Sequence, residues 1–356
     1  MDTRDTPEQA ELRRAARQLA RELGPSTVAD LDDSTRSKRL AAAVCDAGWL
    51  ELRHDAGDGT PLANGVETAI VADALGGAAA DVAFAGPVLG ADLARRAGIT
   101  DAATAAVAFS PRLTEPAVDL PGYAVDAAAE QVDLAYVLIP NRDGYRLGQV
   151  RLESDASGAD LTRAVRTIPV GAPVGDTGQS RLLTADDITQ WTALGLALSC
   201  ADLVGVMRGV LDVTVAYASE RKQFGVAVGS FQAVQHLLAD ARCLMEGSLS
   251  VALHASWAVD ALAPHEALAA ARVAKAYCAR AARTVCENAV QVHGGIGNTW
   301  DCIVNVYLRR ALLSSQWFGD DGEQLDQLQH RILRVDTRPI ERTSTLRMSE
   351  VADGLS

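Results

Sequence analysis

Apolar positions recur at helical spacing through the first hundred residues. In Pro7–Leu23, Leu12, Ala16, Leu19 and Leu23 share one face behind Thr6 as N-cap, with Pro7 at the first helical position, so a helix is predicted over 7–23. Further helices are predicted at about 34–48, leading into Ala47-Gly48-Trp49-Leu50, and at about 66–79, where the Gly76-Gly77 pair is expected to act as the stop. A fourth follows a short loop within 82–98 and ends near Gly98. After Asp101 the period changes. The segments 105–110, 133–140, 144–152 and 163–170 are short, apolar or alternating, and set apart by Pro, Gly, Asp and Asn, which predicts strands. Long helical patterns return over 189–219, 230–261, 264–292 and 301–315, broken by the turn-rich GNT and FGDDG segments. Four such helices bury their facing stripes in a bundle. The pattern therefore predicts a mostly α chain with a β middle domain. Its parts are an all-helical domain over 1–103, a small β domain over 104–188, a four-helix bundle over 189–335 and a polar, flexible tail over 336–356.

Composition narrows the functional classes. With 48% apolar residues the chain has enough material for a large core, which excludes disorder of the whole. Its 33 basic and 46 acidic side chains give a net charge of −13, which argues against a sequence-independent nucleic-acid binder. Only Lys38, Lys222 and Lys275 are lysine, an arginine bias without mechanistic weight. No stretch of 18 consecutive apolar residues occurs and the N-terminus is charged from its second residue, so an unexported, cytoplasmic protein without a membrane association is expected. The cysteines Cys45, Cys200, Cys243, Cys278, Cys286 and Cys302 lack CxxC spacing and read as reduced core thiols. The scattered histidines include no HxxxH pair, so no metal site is expected.

Two segments stand apart from ordinary patterning. The first is Arg221-Lys222-Gln223-Phe224-Gly225 followed by Ser230-Phe231-Gln232-Ala233-Val234-Gln235-His236, a charged turn between two long helices. The second is Gln291-Val292-His293-Gly294-Gly295-Ile296-Gly297, where glycines at a helix end let a large flat or anionic group approach the backbone. Arg221 beside bare backbone N–H groups would suit a diphosphate. Taken singly, each motif reads equally well as a hairpin closure or a helix cap.

Together, in this order, the two motifs and the Tyr307-Leu308-Arg309-Arg310-Ala311 segment resemble the acyl-CoA dehydrogenase family, and the resemblance extends over the whole chain. It implies an α+β fold: a helical N-terminal domain, a small β-barrel-like middle domain and a C-terminal four-helix bundle. It implies FAD at a subunit interface, with Arg221, Phe224, Gln232, Gln291, Gly294 and Gly295 reaching cofactor held mainly by the neighbouring subunit.

The resemblance also shows what is missing. The family's glutamate base falls at Phe318, or in a minority of members at Gly195, and neither residue takes a proton. Asp320 and Asp321 lie beside the first position, but a displacement of one or two residues carries a carboxylate several ångströms away. In the middle domain Leu113-Thr114-Glu115-Pro116 is kept without the Gly-Ser pair that follows in the family. No tryptophan lies between Trp49 and Trp191, and the domain is short. Losses fall on what a subunit gives its own flavin, whereas what it gives a neighbour's flavin is retained. The expectation is a non-catalytic subunit of an α2β2 acyl-CoA dehydrogenase, resembling the paired short subunits of actinobacterial steroid side-chain degradation. Its partner would supply the base and bind the acyl-CoA, and an electron-transfer flavoprotein would accept electrons. The alternatives are a self-sufficient enzyme acting through Asp320 and a flavin-free scaffold of the same fold.

Overall fold

The computed structural model describes residues 3–100, 102–153, 158–178 and 181–336, with side chains to His330. The expected tail over 336–356 lies almost wholly outside these residues. The first helix, α1 (Pro7–Leu23), starts as its sequence predicts: Thr6 Oγ1 accepts from Gln9 N at 3.2 Å and Gln9 Oε1 accepts from Thr6 N at 3.1 Å, a reciprocal cap ahead of Pro7. Then come α2 (Ser34–Asp46), α3 (Gly65–Gly77) and α4 (Ala85–Arg96). Helix α3 ends at Gly77, within the pair expected to stop it, though neither glycine is left-handed. The left-handed residue is Ala79, at φ 45°. The glycines instead permit contact with the next long helix, where a Cβ on Gly76 would lie 2.5 Å from Asp202 O.

Strands follow as β1 (Ala105–Phe109), β2 (Gly122–Val125), β3 (Leu134–Asn141), β4 (Gly144–Arg151), β5 (Val165–Ile168) and β6 (Gly175–Asp176). They form one sheet in the order β5-β2-β1-β3-β4-β6, with β1 and β3 parallel and the other pairs antiparallel. Sequence patterning missed β2 and β6, the latter with only two residues and so too short for a period-two signal. The sheet's inner face, with Val107, Phe109 and Leu138, joins the core shared with the helices, while Ala106, Ala108, Ala135 and Val150 form a smaller cluster on the other face.

The bundle comprises α5 (Ala185–Glu220), α6 (Gln232–Ala261), α7 (Pro264–His293) and α8 (Ile303–Gln316). A further helix, α9 (Asp321–Asp336), which the FGDDG break concealed, follows them. Helix α5 is long and apolar enough to cross a membrane, but 94% of its most apolar window is buried within the fold, so it is the central core helix. The cysteines correct one expectation. Cys200, Cys278 and Cys286 are core thiols, but Cys45 and Cys243 are exposed because they lie on the outer faces of α2 and α6.

The three segments are locked together by buried charge. Asp202 on α5 meets Arg163 at 2.7 Å and Arg310 at 2.8 Å and accepts from Ser314 Oγ at 2.8 Å. Arg310 also donates to Ala80 O and Thr162 Oγ1, so one guanidinium touches all three parts of the chain.

Candidate functional site

Phe318 and Gly195, the two positions at which the family resemblance places a base, meet in space. A Cβ built on Gly195 would lie 2.1 Å from Phe318 Cζ and within 2.6 Å of both Cε atoms, so the aromatic ring occupies the space beside α5 that a side chain at 195 would need. The Phe318 ring is 3% exposed and packs edge-on against Phe109 at 5.0 Å, with Trp191 and Trp317 each at 5.5 Å. Phe318 has φ 66°, an uncommon conformation for a bulky residue, and its N–H donates to Leu113 O at 2.8 Å. The turn carrying the ring is thus bonded to the Leu113-Thr114-Glu115-Pro116 loop of the middle domain. No acid or base stands among these four rings, and the arrangement is a plug.

Lys275 fastens the plug from below. It is fully buried and its Nζ donates to Ser199 Oγ at 2.7 Å, to Trp317 O at 2.8 Å and to Ser314 O. Burial pushes its pKa from 10.5 down to about 8. Between these values the unfolded chain still carries the proton and the native chain has released it, so the stability associated with Lys275 rises with pH across that window. Relative to a Lys275→Met variant, the unfolding free energy should gain up to about 3 kcal/mol between pH 8 and 10.5, at roughly 1.4 kcal/mol per unit. The thiols of Cys278 and Cys286, raised by burial, act oppositely above pH 9; that of Cys286 cancels in the difference, while Cys278, which feels the Lys275 charge, belongs to the measured effect. A flat difference in urea titrations across the window would show that Lys275 keeps its proton.

Beside the plug, a cavity of 570 Å³ runs between the middle domain and the bundle, with Thr114, Tyr145, Leu196 and Phe318 among its walls. Glu115, Glu323 and Asp326 face it against Arg272 and His330. This acidic lining is unsuited to the diphosphate of FAD or to an anionic thioester carrier. The nearby aspartates serve α9 and not the cavity. Asp320 Oδ1 accepts from Glu323 N at 2.9 Å as a cap, and Asp321 pairs with Arg280 at 3.1 Å.

The six expected cofactor residues lie elsewhere, all exposed and all at one end of the bundle. Helices α5 and α7 run in the same direction, and Tyr217 near the end of α5 stacks on His293 at the end of α7 with ring centroids 4.1 Å apart. This brings the two motifs together. Arg221 caps α5, its backbone N–H bonded to Tyr217 O at 2.8 Å, and its guanidinium makes no ion pair among the described residues. The short strands β7 (Lys222–Gln223) and β8 (Val226–Ala227) pair across Phe224-Gly225, a two-residue turn with φ 52° and 83°. A phenylalanine at positive φ is strained, and Phe224 is 93% exposed, with its ring edge-on to that of Phe231 at 6.3 Å. Gln232 opens α6 and Gln291 lies on the last turn of α7. Gly294 has φ 66° and ψ −144°, a conformation nearly confined to glycine, and a Cβ on Gly294 or Gly295 would meet nothing within 4 Å. These residues fit a flat, anionic cofactor: an unpaired guanidinium, a free ring and backbone open to close approach. Among the described residues, no group of three or more His, Cys, Asp or Glu is placed to hold a metal ion.

Comparison with known proteins bears on the fold. A family model described as the acyl-CoA dehydrogenase C-terminal domain matches residues 192–333. Those residues are similar to an acyl-CoA dehydrogenase C-terminal domain. The acyl-CoA dehydrogenase IpdE2 of Mycolicibacterium smegmatis is 32% identical over 173 residues, which are 49% of this chain and 50% of that protein, so the match spans about half of the relative's length. Among solved structures, the Tcur3481-Tcur3483 steroid ACAD variant superposes with a TM-score of 0.76 at 21% identity, covering 93% of this chain and 99% of that one. A chain of the ChsE4-ChsE5 complex from Mycobacterium tuberculosis gives 0.73 at 22% identity, covering 95% and 100%. At such identities the structures show the fold. The described chain as a whole therefore has the acyl-CoA dehydrogenase fold, mostly helical with a small sheet in the middle.

Sequence reasoning missed Phe109, Trp191 and Lys275. One signal was available, since Trp191 lies one helical turn before Gly195 in a chain with only 4% aromatic residues, which marks a notch edged by a ring.

Proposed function

We propose that this chain is the non-catalytic subunit of a heteromeric, FAD-dependent acyl-CoA dehydrogenase, α2β2 and cytoplasmic, which completes the cofactor site of a catalytic partner. The observation that carries this reading is the Phe318 ring lying where a side chain at Gly195 would stand. Both base positions are lost to one packed contact, while Arg221, Phe224, Gln232, Gln291, Gly294 and Gly295 remain free at the bundle end. A bound FAD would supply the hydride acceptor for oxidation of the acyl thioester. This chain's share is to bind and orient: Arg221 offers its guanidinium to the diphosphate, Phe224 offers a ring face, and the two glycines leave the backbone open. The partner supplies the base and binds the acyl-CoA, and an electron-transfer flavoprotein takes the electrons. The names of the structural neighbours, a steroid ACAD and a two-component complex, support a steroid side-chain thioester as substrate and a heteromeric assembly. The engagement of Asp320 as a cap of α9 weighs against a self-sufficient enzyme using that carboxylate.

The chain produced alone should purify without flavin and oxidise no acyl-CoA, and co-production with its partner should restore both. Full flavin loading and turnover by the chain alone would end this reading. In the complex, Arg221→Ala removes a charge-assisted contact of about 1.5–3 kcal/mol, so FAD retention should weaken roughly ten- to a hundred-fold while the variant's own melting temperature stays unchanged. Flavin absorbance after dialysis measures this, and undiminished flavin would favour a scaffold role.

A further inference from the structure

The outer face of α1 carries an excess of positive charge that the function above does not use. A cavity of 570 Å³ there is lined by Arg13, Arg14, Arg17 and Arg21 with only Asp5 and Glu22 opposing them, on a chain whose net charge is −13. Arg13, Arg17 and Arg21 repeat every four residues and so share one helical face. Their partners do not suffice. Asp5 is taken by Arg13 in a two-point contact at 2.8 and 2.9 Å. Among the described residues Arg17 pairs with Asp73 alone, at 3.4 Å, and that carboxylate is already held by Arg208 at 2.6 Å and approached by Arg13 at 3.7 Å. Burial first, and then repulsion from Arg208, hold the Arg17 guanidinium below its ordinary range. Arg14 and Arg21 are exposed and make no ion pair among the described residues, while Glu22 accepts instead from Gln18 at 2.9 Å. Four guanidiniums thus line one depression: Arg13 is held by Asp5, Arg17 shares Asp73, and Arg14 and Arg21 make no ion pair among the described residues.

We infer that this depression binds a multivalent phosphate-class oxyanion, of the size of a diphosphate. Planar guanidinium forks match the oxygens of phosphate two at a time, and several forks around one concavity favour an anion of charge greater than one over a single carboxylate. These cations line a shallow, open depression on α1, within reach of a small anion from solvent. Because Arg208 belongs to α5 and Asp73 to α3, a bound anion that draws Arg17 outward would also strengthen the Arg208–Asp73 pair.

The test is calorimetric titration of the full chain with inorganic pyrophosphate at low ionic strength. One saturable site is expected, weakened by added salt. In the Arg14→Gln/Arg21→Gln variant, which removes only exposed and unpaired charges, affinity should fall about ten-fold or more, while Arg146→Gln in the middle domain leaves it unchanged. A parallel titration with ADP assigns the source: tighter binding than pyrophosphate indicates a nucleotide, and equal binding indicates a free phosphate compound. Absence of saturation, or equal affinity in the double variant, would overturn the proposal.

Discussion

Adding a single methyl group at Gly195 is expected to destabilise the chain by about 1–3 kcal/mol, the cost of overpacking a filled core. The sign is informative, because glycine to alanine inside an open helix would gain up to about 1 kcal/mol. At this position the new carbon would meet three atoms of the Phe318 ring at 2.1 to 2.6 Å, and that ring is already packed against Phe109, Trp191 and Trp317. Phe318→Ala alone should cost about 3–5 kcal/mol through the cavity it leaves. In that background Gly195→Ala should become neutral or stabilising, so the coupling between the two changes opposes the single effects. Urea unfolding of the four proteins reads it directly. Equal costs in both backgrounds would mean that helix and ring do not touch, and the plug would lose its basis.

The second large effect is expected at Asp202. Replacing it by alanine removes the carboxylate that neutralises Arg163 and Arg310, all three being almost completely buried. Breaking a buried ion network by deleting one partner costs about 3–5 kcal/mol, because the cations left behind cannot return to water. Set against a typical total of about 5–15 kcal/mol, this is a large share of the stability. Asp202→Asn should cost less, since it keeps shape and one acceptor but still strands two positive charges. The losses should appear as a lower urea midpoint with docking of the middle domain weakened first, because Arg163 is its ionic link to α5. A cost for Asp202→Ala below 1 kcal/mol would show that the network contributes specificity only.

The helices were legible from their apolar period, and α1 also from its punctuation. Thr6 and Gln9 cap α1 within four residues and placed its start, whereas Asn64 with Glu67 on α3 and Thr184 with Asp187 on α5 form the same cap at starts that the period alone set slightly late. The two-residue β6 holds no such signal, and α9 was hidden because Asp320 reads equally well as turn or cap. For the candidate site, the residues at the bundle end were found by motif, while the Tyr217–His293 stack that unites them is a contact between helices distant in sequence. The plug shows the same division. That Phe318 and Gly195 lack a carboxylate is plain from their letters. That one fills the hollow left by the other depends on how α5 and the turn after α8 cross.

A consequence for motion follows from the seam between α3 and α5. A Cβ on Gly205 would lie 2.1 Å from Asp73 O, and one on Gly209 would lie 2.1 Å from Gly77 O, so the two helices touch backbone to backbone. Sliding between packed helices ordinarily proceeds by small rotamer changes in the side chains that separate them. Where no side chains intervene there is no such slack, and the N-terminal helices and the bundle core must travel as one rigid piece. Any breathing of the cavity beside the plug is therefore left to the sheet and to α9, which close it from the other sides.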